Sequence, residues 1–194
     1  MMRFTPDRGQ GEDALQLAGS LLLAHPSLRD SNFKRSVVLL AAHSAEDGAL
    51  GVIVNRPLDQ VLGDYDTELQ GSDLADVPLY EGGPVGSDQI ILVAWQWSPG
   101  DGTFRLYFGI DEVKACQMLE EGSEFEVRAF LGHSGWGEWQ LEEEIDDDSW
   151  VLATLSPDLD AQQGLAVWRS ILSGVSPEMR LLAEEPDDLS MNGN

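Results

Sequence analysis

Apolar residues come in short, dense runs over the first third of the chain. Residues 21–24, 36–42 and 50–54 each read as a strand, and their near-continuous apolar character predicts strands covered on both faces. The second and third are separated by His43-Ser44-Ala45-Glu46-Asp47-Gly48, a hairpin-like connection. Pro57 has the preset φ of a first helical turn, and Leu58, Val61 and Leu62 follow at helical spacing. Residues 63–76 are polar and acidic and read as a long connection holding a short helix. Residues 90–95 and 104–108 are again strand-like, joined across Ser98-Pro99-Gly100-Asp101-Gly102. Asp111 caps a helix with Val113, Cys116 and Leu119 on one face, ending at Gly122. Residues 125–131 alternate apolar with charged, as in a half-exposed strand, and residues 149–155 form a further strand. Ser156-Pro157 starts a helix carrying Leu159, Leu165, Val167, Trp168, Ile171 and Leu172, with Gly174 as its stop. Ser176-Pro177-Glu178 repeats the start signal for a last short helix. Strands outnumber helices and do not alternate with them regularly, so the pattern predicts an α+β fold over a doubly wound sheet.

Composition places these elements in one domain. The 194 residues have ordinary hydrophobic content, and no Pro/Ser linker or internal repeat divides them. A single domain is expected at residues 15–185, with a flexible segment at 1–14 and a flexible acidic tail at 186–194. No apolar run reaches the roughly 20 residues of a membrane span. The first residues lack the basic and apolar regions of a signal peptide. The lone cysteine, Cys116, permits no internal disulfide, so a cytoplasmic location is expected. Charge changes the picture more. The chain carries a net −24, spread unevenly. Residues 19–56 set Arg29, Lys34, Arg35 and Arg56 against three acidic side chains, whereas residues 57–194 set five basic against 29 acidic. Such a field repels a phosphate backbone, and direct nucleic-acid binding is not expected.

Two glycine-rich segments stand out: Leu79-Tyr80-Glu81-Gly82-Gly83-Pro84-Val85, and the stretch from Gly132-His133-Ser134-Gly135-Trp136-Gly137 to Glu142. Each predicts a shaped bend and a surface that a partner can approach closely. The second resembles a nucleophile elbow, but the motif Gly-x-Ser-x-Gly fails at its fifth position, Trp136. All three histidines, His25, His43 and His133, precede Ser134, so the hydrolase order of serine before histidine is missing. No catalytic residue is therefore assigned. Histidine and cysteine show no metal-ligand spacing, the acidic run 142–148 lacks the alternation of a calcium loop, and there is no phosphate-binding glycine loop. No metal and no cofactor is expected. The run 142–148 reads as a solvated helix face and its exit, and Cys116 as inert packing. Asn55-Arg56-Pro57 offers an arginine at a turn, suited to an anion. The plainer reading leaves Arg56 on the surface and makes Gly82-Gly83-Pro84 a sharp bend.

The ordered set of these segments resembles the YqgE/AlgH family, a bacterial family without an established biochemical activity. The segments are residues 19–26 (ending His25-Pro26), 33–38 (Phe33-Lys34-Arg35-Ser36-Val37-Val38), 51–58, 82–85 and 132–142, with Trp150 and Trp168. Coverage is about residues 17–182. The resemblance implies a strongly bent, split, mostly antiparallel β-sheet forming a pseudo-barrel flanked by helices. Part of the family is labelled a transcriptional regulator, a label the charge of −24 does not support. Two positions depart from the family pattern: His133 stands in place of an aromatic, and Trp139 in place of glycine.

The resulting expectation is a non-catalytic cytoplasmic binding or regulatory protein. Its surface for an unknown protein partner or a small anionic ligand combines Asn55, Arg56, Pro57, Gly82, Gly83, Pro84, Gly132, Gly135, Trp136 and Gly137. The alternative is an anionic-metabolite binder or enzyme with its site near Arg56. Direct transcriptional regulation comes third.

Overall fold

The structure is a computed structural model that describes residues 16–98, 100, 102–120 and 124–185. The terminal segments expected at 1–14 and 186–194, and the predicted helix stop Gly122, lie outside the described residues. The strands are β1 (Leu21–Ala24), β2 (Val37–Ser44), β3 (Gly48–Ile53), β4 (Pro57–Val61), β5 (Pro78–Glu81), β6 (Val85–Ser98), β7 (Thr103–Phe108), β8 (Glu126–Trp136) and β9 (Trp150–Ala153). The helices are α1 (Leu62–Tyr65), α2 (Glu112–Leu119), α3 (Gln140–Asp146), α4 (Asp158–Ala161), α5 (Leu165–Val175) and α6 (Pro177–Glu184). This is an α+β protein built on one curled open sheet.

Along the sheet the order is β4-β5-β8-β3-β2-β1-β9, with β6 and β7 branching off β8. All pairs are antiparallel except β5 with β8. Strand β8 is where the sheet splits. Its first part is bonded to β5 through Ala129–Leu131 and to β6 from Glu126 onward. Its end, Ser134–Trp136, pairs instead with Gly51–Ala49 of β3.

The apolar runs divide between two cores because successive strand side chains point to opposite faces. Leu21, Leu23, Val37, Leu39, Val52 and Val54 face α4, α5 and α6, where Leu159, Val167, Trp168, Ile171 and Leu172 complete a core. Leu22, Ala24, Val38, Leu40 and Ile53 face the other way, toward Leu141 of α3 and the rings of Trp136 and Trp150. A third core joins α1 and α2 to β5, β6 and β8. Cys116 is half-buried and packs against that core.

Four local expectations are corrected. Pro57 opens no helix: it pairs with Tyr80 in edge strand β4, where a missing N–H is tolerated, and the helix begins at Leu62. The second glycine segment turns only at its end: β8 runs through it to Trp136, and the chain turns at residues 137–139 before α3. The stretch from Ser156 is two helices, because Gly164 (φ +60°) breaks it before α5, which then continues past Gly174 to Val175. The acidic run 142–148 is not a purely solvated face. His43 Nε2 lies 2.8 Å from Glu142 Oε1. Glu144 accepts the indole N–H groups of Trp136 and Trp150 at 2.9 and 2.8 Å. The Asp111 cap is present, its carboxylate accepting the Lys114 amide at 2.7 Å.

Candidate functional site

The two glycine segments touch each other. A Cβ placed on Gly82 would lie 2.3 Å from the Gly132 carbonyl, and one on Gly83 (φ +147°) 2.3 Å from the carbonyl of His133. One on Gly132 (φ +70°) would lie 2.5 Å from the Gly83 carbonyl. These glycines let two backbones cross, and all three are buried. Ser134 is wholly buried and donates its hydroxyl to the Gly82 carbonyl at 3.2 Å, fixing the same crossing. Gly135 and Gly137 are exposed and open, Pro84 is exposed at the bend, and Trp136 is buried in the second core.

The Asn55-Arg56 turn serves a neighbouring loop. Asn55 is buried and uses all of its amide: Oδ1 accepts the Val37 N–H at 2.8 Å, and Nδ2 donates to the carbonyls of Arg35 (3.0 Å) and Gly164 (3.3 Å). The Arg56 guanidinium donates to Glu81 Oε1 and to the Lys34 carbonyl, both at 3.2 Å. Both side chains thus grip the backbone at Lys34 and Arg35. Pro57 lies beside them in β4. The structure brings Asn55 and Arg56 together with the Lys34-Arg35 loop, and Gly82 and Gly83 with Gly132, but does not join the whole predicted set into one open cleft.

What the gripped loop presents is a pocket of about 140 Å³, lined by His25, Pro26, Ser27, Arg29, Arg35, Trp168, Leu182 and Glu185. Arg35 takes a left-handed backbone (φ +56°), lays its guanidinium over the Trp168 ring at 5.6 Å, and donates to the Glu185 carbonyl at 3.1 Å. Trp168 is fixed in turn, its indole N–H donating to the Ala24 carbonyl at 2.8 Å. His25 Nδ1 accepts the Ser27 amide (3.2 Å) and lies 2.7 Å from the Ser27 hydroxyl, so the ring N–H sits on Nε2. Arg29 stands exposed on the rim. Two guanidinium groups, a histidine and one acidic side chain therefore share a pocket on a molecule of net charge −24.

Sequence reasoning did not single out His25, Ser27, Arg29, Arg35 and Trp168 as a site. Two signals were present: a long net-basic stretch in an acidic chain, residues 19–56, and three segments of the family resemblance that converge here, 19–26, 33–38 and Trp168.

A second polar cluster lies inside the first core. The Arg128 guanidinium is held between the Trp95 and Tyr80 rings, at 4.7 and 4.8 Å. It donates to Glu126 Oε1 (3.1 Å) and to the carbonyls of Leu159 (3.0 Å) and Val54 (3.4 Å). Burial raises the Tyr80 hydroxyl pKa above 10, the nearby Arg128 charge opposing that shift. The chain's own arginine fills this aromatic slot. Among the described residues, no three His, Cys, Asp or Glu side chains converge as a metal site.

Fold and site together define an α+β protein with a curled, split sheet and a small cationic pocket beside β1. The chain belongs to the AlgH-like family, whose model matches residues 21–180. It is 36% identical to a UPF0301 protein of Streptomyces avermitilis over 190 residues, 91% of this chain and 95% of that one. It is 32% identical to a UPF0301 protein of Chlorobium limicola over 183 residues, 90% and 95% of the two chains. Its fold is similar to the crystal structure of DIP2367 from Corynebacterium diphtheriae (TM-score 0.66, 24% identity, 95% of both chains). It is also similar to the solution structure of AlgH from Pseudomonas aeruginosa (TM-score 0.60, 23% identity, 92% and 98%).

Proposed function

We propose that this member of the AlgH-like family is a non-catalytic cytoplasmic binding or regulatory protein whose recognition site is the cationic pocket around Arg35. The observation carrying this reading is the convergence of His25, Arg29 and Arg35 on one pocket of a molecule that is otherwise strongly acidic. A fixed arginine over an aromatic floor is a prepared receptor for an anionic group, since little side-chain freedom is lost on binding. The overall field repels extended polyanions, whereas a small anion senses mainly the charges within a Debye length, about 8 Å at physiological salt. The ligand is accordingly a small anionic molecule or a single acidic group on a partner, and nucleic acid is not one. No helix among the described residues is long and apolar enough to cross a membrane.

Titrating the protein with a panel of small organic anions and acidic peptides at about 0.15 M salt tests this. A true ligand at 100 times its Kd should add about 2.7 kcal/mol of stability, and Arg29→Gln, weakening binding about tenfold, should cut that gain to about half. A ligand whose binding survives Arg29→Gln and is lost in Arg56→Ala would move the site to the turn at Arg56. Against that second reading stands the engagement of the Arg56 guanidinium by Glu81 and the Lys34 carbonyl.

A further inference from the structure

We infer that the outer edge of β9 is a docking site for an extended, basic segment of a partner protein, which adds to the sheet as a further antiparallel strand. This surface shares no residue with the pocket around Arg35, so the two readings stand or fall separately.

The edge is open. Strand β9 ends the sheet and pairs only with β1. His25 donates its amide to the Ser149 carbonyl at 2.9 Å, and bonded pairs recur at every second residue, so Val151 and Ala153 turn their backbone groups toward β1. Trp150 and Leu152 turn theirs outward, and among the described residues no strand meets them. The other two edge strands carry devices against pairing. In β4 these are Pro57 and a register shift containing Asp59 at φ +53°. In β7 it is Arg105, exposed at mid-strand. Strand β9 has neither proline nor charge: residues 149–156 read Ser-Trp-Val-Leu-Ala-Thr-Leu-Ser.

Charge selects the occupant. Asp146, Asp147 and Asp148 are exposed at the N-terminal end of this edge and make no ion pair among the described residues. A second copy of the chain would set −24 against −24 and be repelled, whereas a segment bearing lysine or arginine is attracted. An antiparallel strand runs past Leu152 and Trp150 toward Asp148, so its apolar residues come first and its basic residues follow. Apolar side chains suit it because Val151 and Leu152 stand half-buried at the rims of the first and second cores, on opposite faces. Main-chain bonds then supply affinity, and the order of apolar and basic positions supplies selectivity.

The test uses the full chain, ¹⁵N-labelled, followed by NMR at about 0.15 M salt. The probe is an eight-residue peptide of alternating valine and threonine ending in three lysines. Saturable shifts are expected at residues 146–155, with the Trp150 and Leu152 amides exchanging at least about tenfold more slowly in excess peptide. Backbone N-methylation of the peptide, or glutamates in place of its lysines, should weaken binding at least about tenfold. Replacing Asp146, Asp147 and Asp148 together by asparagine should do the same with the fold intact, since these side chains are exposed and asparagine tolerates the left-handed backbone at Asp148 (φ +56°). Equal binding of the N-methylated peptide would overturn strand addition and leave only attraction between charges. Concentration-dependent shifts at Trp150 and Leu152 without peptide would make the occupant a second copy and overturn the basic partner. No shift at these residues with the lysine peptide would remove the site.

Discussion

Tyr80 and Arg128 show how one buried cation organises its surroundings. The arginine satisfies two carbonyls and a carboxylate while two aromatic rings pack its faces, and burial raises the Tyr80 pKa. A phenol with a raised folded-state pKa contributes stability that is complete below its unfolded value near 10 and is lost as pH climbs through the folded value. Denaturant unfolding between pH 9 and 11 should therefore show stability falling from pH 10 upward, and Tyr80→Phe should flatten part of that fall. An unchanged slope in the variant would mean that Tyr80 is not the group responsible. None of this was legible in the chain. Arg128 read as one of the charged positions of a half-exposed strand, yet it is 4% exposed, because the partners that cover it come from residues 54, 80, 95 and 159. Trp139 carried a better signal. It stands where the resembling family has glycine, and its backbone is left-handed at φ +58°, so the turn persists with a side chain that strains it.

Among the elements, β8 controls the architecture. Gly132 sits where the strand passes from β5 and β6 toward β3, with the Gly83 carbonyl in the space a methyl would need. Gly132→Ala should cost more than about 3 kcal/mol in denaturant titration, through both the contact and the positive φ. Gly135→Ala, three residues on and with its nearest neighbour 3.9 Å away, should change stability by no more than about 0.5 kcal/mol. Equal effects would show that the crossing does not depend on glycine. The central strands were readable from their apolar runs because both of their faces are covered. The capped helices were readable because Asp111 and Ser176 each accept an amide of the first turn. Strand β4 was not, since Pro57 and the following Leu58, Val61 and Leu62 fit a helix locally and only pairing with β5 decides otherwise. The glycine motif was read as a turn for a similar reason: glycine marks a close approach of backbones, but sequence does not say whether the approaching chain belongs to a ligand or to the protein itself.

At the scale of the whole molecule, 35 acidic against 11 basic side chains make self-repulsion the dominant long-range term. Raising NaCl from 0.02 to 0.5 M should therefore raise stability by about 1 kcal/mol, or a Tm gain of roughly 3 °C, in calorimetry. A fall would place the balance with local ion pairs such as Arg56–Glu81 instead. The pocket belongs to this scale too: His25, Arg35 and Trp168 are unremarkable singly, and only the topology that sets α5 beside the end of β1 gathers them. The same topology governs how the molecule is made. Strand β1 lies between β2 and β9, with Leu21 opposite both Leu39 and Ala153. A chain leaving the ribosome can complete the β2 side early, but its most apolar strand keeps one bare edge until residue 153 has emerged. Through most of translation Leu21-Leu22-Leu23-Ala24 therefore keeps one unpaired strand edge, the kind of edge that pairs with another chain when one is met.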